Sequence, residues 1–211
     1  MNVNSANTLQ EIQEATASEP LSLGEEYAMQ TNWRADHDKL TFIACLPVSS
    51  HQNTVKAGDA DSPERMVGDV NLFFSLADED EEGCIGELEL MIAPPTFRRQ
   101  GYGRVTILTF LHYISSHLTL ILEEYRKGAR KQKMKLLQLR VKIGSKNEKS
   151  INLFQSIGFI KVEEGPNYFG EFELVLEGFL GEKRIRALEE KWAIEGYEEL
   201  AYEESDAAIH N

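Results

Sequence analysis

Six consecutive residues, Arg98-Arg99-Gln100-Gly101-Tyr102-Gly103, have the composition of an anion-binding turn. They run into an apolar stretch with helical spacing, which predicts a helix over Arg104–Leu118. The first amides of a helix have no intrahelical acceptor, and the helix dipole adds positive potential at the same place. Gly101 and Gly103 lack a Cβ, so positive φ is open to them and a phosphate can approach the backbone. Two glycines at a helix start also suit a plain tight turn.

A second group with chemical potential lies just upstream. Gly86–Ala93 reads as a central strand in which Glu87, Glu89 and Met91 share one face and Leu88, Leu90 and Ile92 the other. A carboxylate held on a largely buried strand has its pKa raised, which is how a general base near neutral pH is made. Salt-bridged structural carboxylates are the competing reading for both glutamates.

The elements around these groups follow from pattern. Ser22-Leu23-Gly24-Glu25 is a capping box opening a helix to about Trp33, with Tyr27 and Trp33 expected in the core and a wall of a substrate site as the competing reading. Strands are predicted at Leu40–Leu46, Val67–Phe74 with a bulge at Gly68, and Leu136–Ile143. Ala77–Gly83, with its acidic run, reads as a solvated hairpin loop. Ile107, Leu108, Leu111, Ile114 and Leu118 form the stripe of a helix laid on a sheet, and His112 beside them reads as structural. A short helix over Ser150–Ile157 ends at Gly158. Two closing strands, Phe159–Glu163 and Tyr168–Leu176, flank a Gly165-Pro166-Asn167 turn. Ile185, Leu188 and Trp192 mark a weak helical stripe, and the chain from about Glu198 is expected to be disordered.

Bulk properties exclude several classes. The chain has 211 residues, enough for one domain with a proper core. Its net charge of -13 argues against broad binding to nucleic acid or anionic membranes. Cys45 and Cys84 are its two cysteines, and no Cys/His spacing suits a metal. No secretory signal and no apolar run of membrane-spanning length stand out, so reduced cysteines and a cytoplasmic location are expected.

The R-x-x-G-x-G pattern at Arg98, Gly101 and Gly103 resembles the pyrophosphate loop of the GCN5-related N-acetyltransferases. Downstream, N-x-x-S-x-x-L-F-x-x-x-G-F, from Asn147 through Ser150 and Phe154 to Phe159, resembles the second cofactor motif of that superfamily. The segments Ala17–Gln30, Asp38–Ala44, Met66–Phe74 and Gly86–Pro94 are similar to its N-acetyltransferase 9-like branch. The likeness runs over roughly residues 15–176.

The resemblance implies an α/β acyl-CoA N-acyltransferase fold, with a mostly antiparallel sheet and a central parallel pair that splays apart. It divides the chain into a polar lead-in (1–16), an acetyltransferase domain (17–180) with an insert near 119–135, and an acidic C-terminal helix and tail (181–211). It implies acetyl-CoA as co-substrate, with Arg98 opening the cofactor loop and the amides of Arg99, Gln100, Gly101, Tyr102, Gly103 and Arg104 on the pyrophosphate. Met91, Ile92 and Ala93 would pair with the pantetheine, and a backbone N–H near Ile92 would face the thioester oxygen. Asn147, Ser150 and Phe154 would border the same arm.

Fourteen residues before Gly101, Glu87 matches the position of the superfamily's catalytic glutamate, which makes it the first choice of base and Glu89 the second. Phe154 stands where a tyrosine acid is usual, leaving Tyr168 as a loose substitute. Direct transfer to a protein amine is implied, with tubulin the named candidate acceptor. The alternatives are a weakly active module binding a partner such as microtubules, and a small-molecule amine acetyltransferase.

Relatives in this branch begin with a strand and a helix ahead of the segment matching residues 1–20, and those elements are expected to be missing here. The insert carries Arg126, Lys127, Arg130, Lys131, Lys133 and Lys135. It reads as a solvated helical extension, as a basic arm for an acidic surface, or as a contact for the 3′-phosphate of coenzyme A.

Overall fold

The computed structural model describes residues 21–48, 53–77, 80–178, 181–194 and 196–203. The expected lead-in, residues 1–16, lies outside them, as do Asp78 and Glu79 of the acidic run. The elements in order are α1 (Leu23–Ala35), β1 (Lys39–Cys45), β2 (Thr54–Lys56), β3 (Met66–Ala77), β4 (Asp80–Ile92), α2 (Tyr102–Gly128), β5 (Lys135–Gly144), α3 (Glu148–Ile157), β6 (Ile160–Lys161), β7 (Glu171–Glu177), α4 (Glu182–Lys191) and β8 (Ala201–Glu203). Six strands form one sheet in the order β1-β3-β4-β5-β7-β6, and β2 pairs with β8 apart from it.

Within the large sheet every pairing is antiparallel except β4 with β5. Strand alternation gives it one apolar and one charged face. Leu72, Phe74, Leu88, Leu139, Val141, Leu174 and Leu176 carry the apolar face. Onto it pack Ile107, Leu108, Leu111 and Ile114 of α2, Ile151, Phe154 and Ile157 of α3, and Ile185 of α4. Glu87, Glu89 and Met91 lie on the other face, opposite Phe73, Asn71 and Asp69 of β3.

Gly68 shows why the bulge expected there falls where it does. The β1–β3 register shifts between Ala44 and Cys45, next to Gly68. A Cβ on Gly68 would stand 1.8 Å from the Met91 carbonyl oxygen, so only glycine lets β3 lie this close to the end of β4.

The structure corrects several expectations. The capping box of α1 forms as expected, with Ser22 Oγ accepting from the Glu25 amide. Yet Tyr27 (61% exposed) and Trp33 (38%) are not core residues. The helix is polar on most sides, and Trp33 instead takes the Lys39 ammonium over its ring at 5.9 Å. The hairpin between β3 and β4 is shorter than expected, because Ala77 already pairs with Asp80.

Helix α2 runs ten residues past Leu118, since the insert through Gly128 continues it and Tyr125 is buried against Phe74. By length and composition α2 could cross a membrane; here its apolar stripe is buried on the sheet. The closing strands are also shorter, and Tyr168 lies in the turn before β7. The segment from Glu198 contains β8, which pairs in parallel with β2.

Candidate active site

The parallel β4–β5 ladder runs from Gly83↔Lys135 to Glu87↔Arg140 and stops there. β4 continues to Ile92 paired with β3, and β5 continues to Gly144 paired with β7. The two strands therefore diverge, and backbone groups of Leu88–Ile92 face a gap. Which groups do so follows from strand alternation. The Ala93 amide donates to the Val67 carbonyl at 3.0 Å, toward β3. One residue back, the Ile92 amide points the other way, into the gap. Of the expected set Met91, Ile92 and Ala93, only Ile92 is placed to present its amide there.

The turn after β4 is held by its own first residue. Arg98 Nε donates to the Ile92 carbonyl at 3.0 Å and Nη2 to the Ala93 carbonyl at 2.9 Å. Gln100 donates to the Thr96 carbonyl. These side chains therefore fasten the turn to the strand end. Arg99 (φ 65°) and Gly101 (φ 91°) are both left-handed, and Gly101 is the N-cap of α2 without a side-chain cap. The Arg104 amide bonds the Gly101 carbonyl at 2.9 Å, which removes it from the expected pyrophosphate donors. The amides of Tyr102 and Gly103 precede the first helical bond and have no intrahelical acceptor.

A Cβ on Gly101 would meet nothing within 4 Å, so this glycine answers to its positive φ and to open space rather than to packing. The site of a Cβ on Gly103 is ringed by Leu90, Leu153 and Ile92 at 3.6–3.8 Å. Gly103 thus brings together the start of α2, the open half of β4 and helix α3. The residues present fit an extended, phosphate-bearing ligand such as acetyl-CoA: unbonded helix-start amides at one end, an unpaired strand edge at the other.

The second motif takes structural roles. Asn147 is the N-cap of α3, its Oδ1 accepting from the Ser150 amide at 3.2 Å. Phe154 is 4% exposed and packs edge-on against Phe159 at 5.2 Å, which seats its ring in the core. Tyr168, at 97% exposed, packs on Phe169 at 5.5 Å, and none of the described residues orients its hydroxyl as an acid.

The two candidate bases differ sharply. Glu87 Oε2 accepts from Arg140 Nε at 2.7 Å and lies 3.0 Å from Lys142 Nζ. Glu89 is more exposed. Its pKa is raised by partial desolvation first, then by the negative charges of Glu87 and Asp69, while Lys142 opposes them. Asp69 is raised as well, by burial, although Asn71 Nδ2 donates to it at 2.8 Å. Sequence reasoning missed Asp69 and Asn71. The signal was there: two polar residues at period two inside the apolar strand Val67–Phe74.

Neither cysteine is a nucleophile of this site. Burial pushes the Cys84 thiol up to about 12 and also raises Cys45. His112 is structural as expected, bonded to Glu189 at 2.8 Å and stacked on Tyr197 at 3.9 Å. The basic insert lies at the far end of α2. Twenty-seven helical residues span about 40 Å, so a contact to the 3′-phosphate of a coenzyme seated at the glycine turn is set aside. Among the described residues no three His, Cys, Asp or Glu side chains are grouped as metal ligands.

A family model of the acetyltransferase (GNAT) domain matches residues 4–160. An N-acetyltransferase 9-like protein of Schizosaccharomyces pombe is 41% identical, over 79% of this chain and 83% of that protein. One from Dictyostelium discoideum is 35% identical, over 85% and 76%. A Mus musculus protein named alpha/beta-tubulin-N-acetyltransferase 9 is 35% identical, over 88% and 64%. Among solved structures, spermidine N-acetyltransferase from Vibrio cholerae in complex with CoA and spermine has a TM-score of 0.55 at 15% identity, covering 83% of this chain and 87% of that one.

Proposed function

Because the chain belongs to the GNAT acetyltransferase family, we propose that it moves an acetyl group from acetyl-CoA directly to a protein amine, with the N-terminus of tubulin as acceptor. The name of the mouse relative supports that acceptor, and a cytoplasmic location goes with it. The observation that carries the reading is the divergence of β4 and β5 beyond Glu87↔Arg140, beside a helix start whose amides are unbonded.

Acetyl-CoA supplies the activated acetyl group; the chain supplies position and a base. The Tyr102 and Gly103 amides bind the pyrophosphate, and the dipole of α2 adds to them. The Ile92 amide, aimed into the gap, serves as the donor toward the thioester oxygen. Glu89 takes the proton of the acceptor ammonium, since Arg140 and Lys142 pair directly with Glu87 instead and the Glu89 pKa is raised on balance. Transfer needs no acyl-enzyme, in keeping with a Cys84 thiol pushed to about 12.

The test is turnover of acetyl-CoA with a peptide carrying the tubulin N-terminus, beside a polyamine panel. Acetylation of the peptide α-amine is expected. Turnover confined to polyamines would refute the protein acceptor. A second reading, a partner-binding module of low activity, is favoured by Phe154 standing buried where the family usually has a tyrosine. Acetyl-CoA binding without turnover on any amine would support it.

A further inference from the structure

The family match ends at residue 160, yet the chain goes on to cover α2. Helix α4 follows β7, and Ile185 on it is 1% exposed. Beyond α4 the chain runs along α2: Glu189 bonds His112, Tyr197 stacks on His112, and Glu199 bonds His117 at 2.8 Å. At the start of α2, Trp192 lies against Arg104, whose guanidinium carbon is 3.6 Å from the ring centroid. Lys191 Nζ is 5.0 Å from the same ring.

This arrangement is electrostatically incomplete. Arg104 sits in the first turn of α2, where the dipole disfavours a cation, and no acidic residue stands in that turn. Lys191, in the last turn of α4, donates to the Ser156 carbonyl at 3.5 Å and brings a second cation near the same indole. Among the described residues neither cation has a carboxylate partner, while Glu189 and Glu199 of the same segment are engaged by histidines. Arg104 Nε and Trp192 Nε1 are both buried without an acceptor, although Arg104 as a whole keeps some exposure. Buried, unpaired donors, with two cations that lack a carboxylate beside one indole, call for an anion.

We infer that Arg104, Lys191 and Trp192 form the phosphate end of the acetyl-CoA site, so that the segment after the family domain is a binding element. Trp192 is a positioning residue that holds the Arg104 guanidinium beside the glycine turn; Arg104 and Lys191 contact phosphate. This rests on the acetyl-CoA reading above.

The chain has two tryptophans, so a Trp33→Phe background leaves Trp192 as the sole indole reporter. In that background, acetyl-CoA, 3′-dephospho-acetyl-CoA and S-acetylpantetheine are titrated. Acetyl-CoA is expected to change the Trp192 emission and S-acetylpantetheine to leave it unchanged. Arg104→Gln and Lys191→Gln should each weaken acetyl-CoA binding about tenfold, the loss of one charge-assisted contact, and leave S-acetylpantetheine binding unaltered. If the variants lose affinity for acetyl-CoA alone, the contact is to the 3′-phosphate; if they lose it equally for the dephospho form, it is to the pyrophosphate. Either result supports the inference.

Unchanged acetyl-CoA affinity in both variants would overturn it and leave the proposed function standing. So would an equal loss for acetyl-CoA and S-acetylpantetheine, which marks a purely structural effect. Absence of acetyl-CoA binding to the unsubstituted protein would overturn the proposed function itself, and this inference with it.

Discussion

The two halves of β4 are built from the same alternating pattern and do different work. From Cys84 to Glu87 the strand is paired on both sides, and its last carboxylate is held by two cations of β5. From Leu88 to Ile92 it is paired on one side only, and its carboxylate Glu89 has acidic neighbours. A carboxylate that closes a ladder holds strands together. Two residues on, where the ladder has ended, a carboxylate with a raised pKa is available to take a proton. The difference lies in the neighbouring strand rather than in the glutamates.

Neutralising the carboxylate of each half in turn separates their roles. Glu89→Gln should lower turnover by about 100- to 10,000-fold, the usual contribution of a general base. The same change should raise the melting temperature at neutral pH. The pKa of Glu89 in the folded protein lies above its ordinary 4.5, so its contribution to stability is full below that value and is lost as pH rises through the raised one. Removing the charge removes that cost. The rate should correspondingly increase with pH through the raised pKa, since the base works deprotonated. A Glu89→Gln enzyme with normal turnover would return the role to Glu87.

Gly68→Ala tests whether the open half needs its close support from β3. The added Cβ meets the Met91 carbonyl oxygen at 1.8 Å, and relief requires backbone movement. A loss of about 3 kcal/mol in denaturant unfolding is expected. A neutral effect would mean that the end of β4 is not held in place from that side.

Glu87→Gln should have the smallest effect of the three on turnover and a moderate one on stability. Arg140 and Lys142 would lose their shared counter-ion in a partly buried setting, for a loss of about 2 kcal/mol. Urea unfolding beside steady-state kinetics separates the two effects. A collapse of kcat with unchanged stability would reverse the assignment.

The apolar half of the fold was legible because it is periodic. The stripe Ile107–Leu118 and the alternation in Gly86–Ala93 gave helix, strand and facing directions that the core bears out. The R-x-x-G-x-G turn was legible from its glycines, although the task of Arg98, tying down the Ile92 and Ala93 carbonyls, was not. Pattern says nothing about which strand is a neighbour. That is why Glu89 could not be told from Glu87, whose partners Arg140 and Lys142 come from more than fifty residues away. Trp192 against Arg104 was hidden for the same reason. Helix α1 misled because a good capping box fixes a helix start without providing a face to bury.

Acetyl-CoA seated against the glycine turn and the open half of β4 is the arrangement on which every proposed role depends. Thermal unfolding with and without acetyl-CoA tests this most directly, in the unsubstituted chain and in Gly101→Glu. The variant puts a strained residue and a negative charge where the amides face an anion. A ligand that binds only the folded state adds about 2.7 kcal/mol at a hundredfold excess over Kd, so a clear upward shift is predicted, and it should vanish in the variant. A cooperatively melting protein whose transition does not move with acetyl-CoA, or moves equally in both chains, would contradict it.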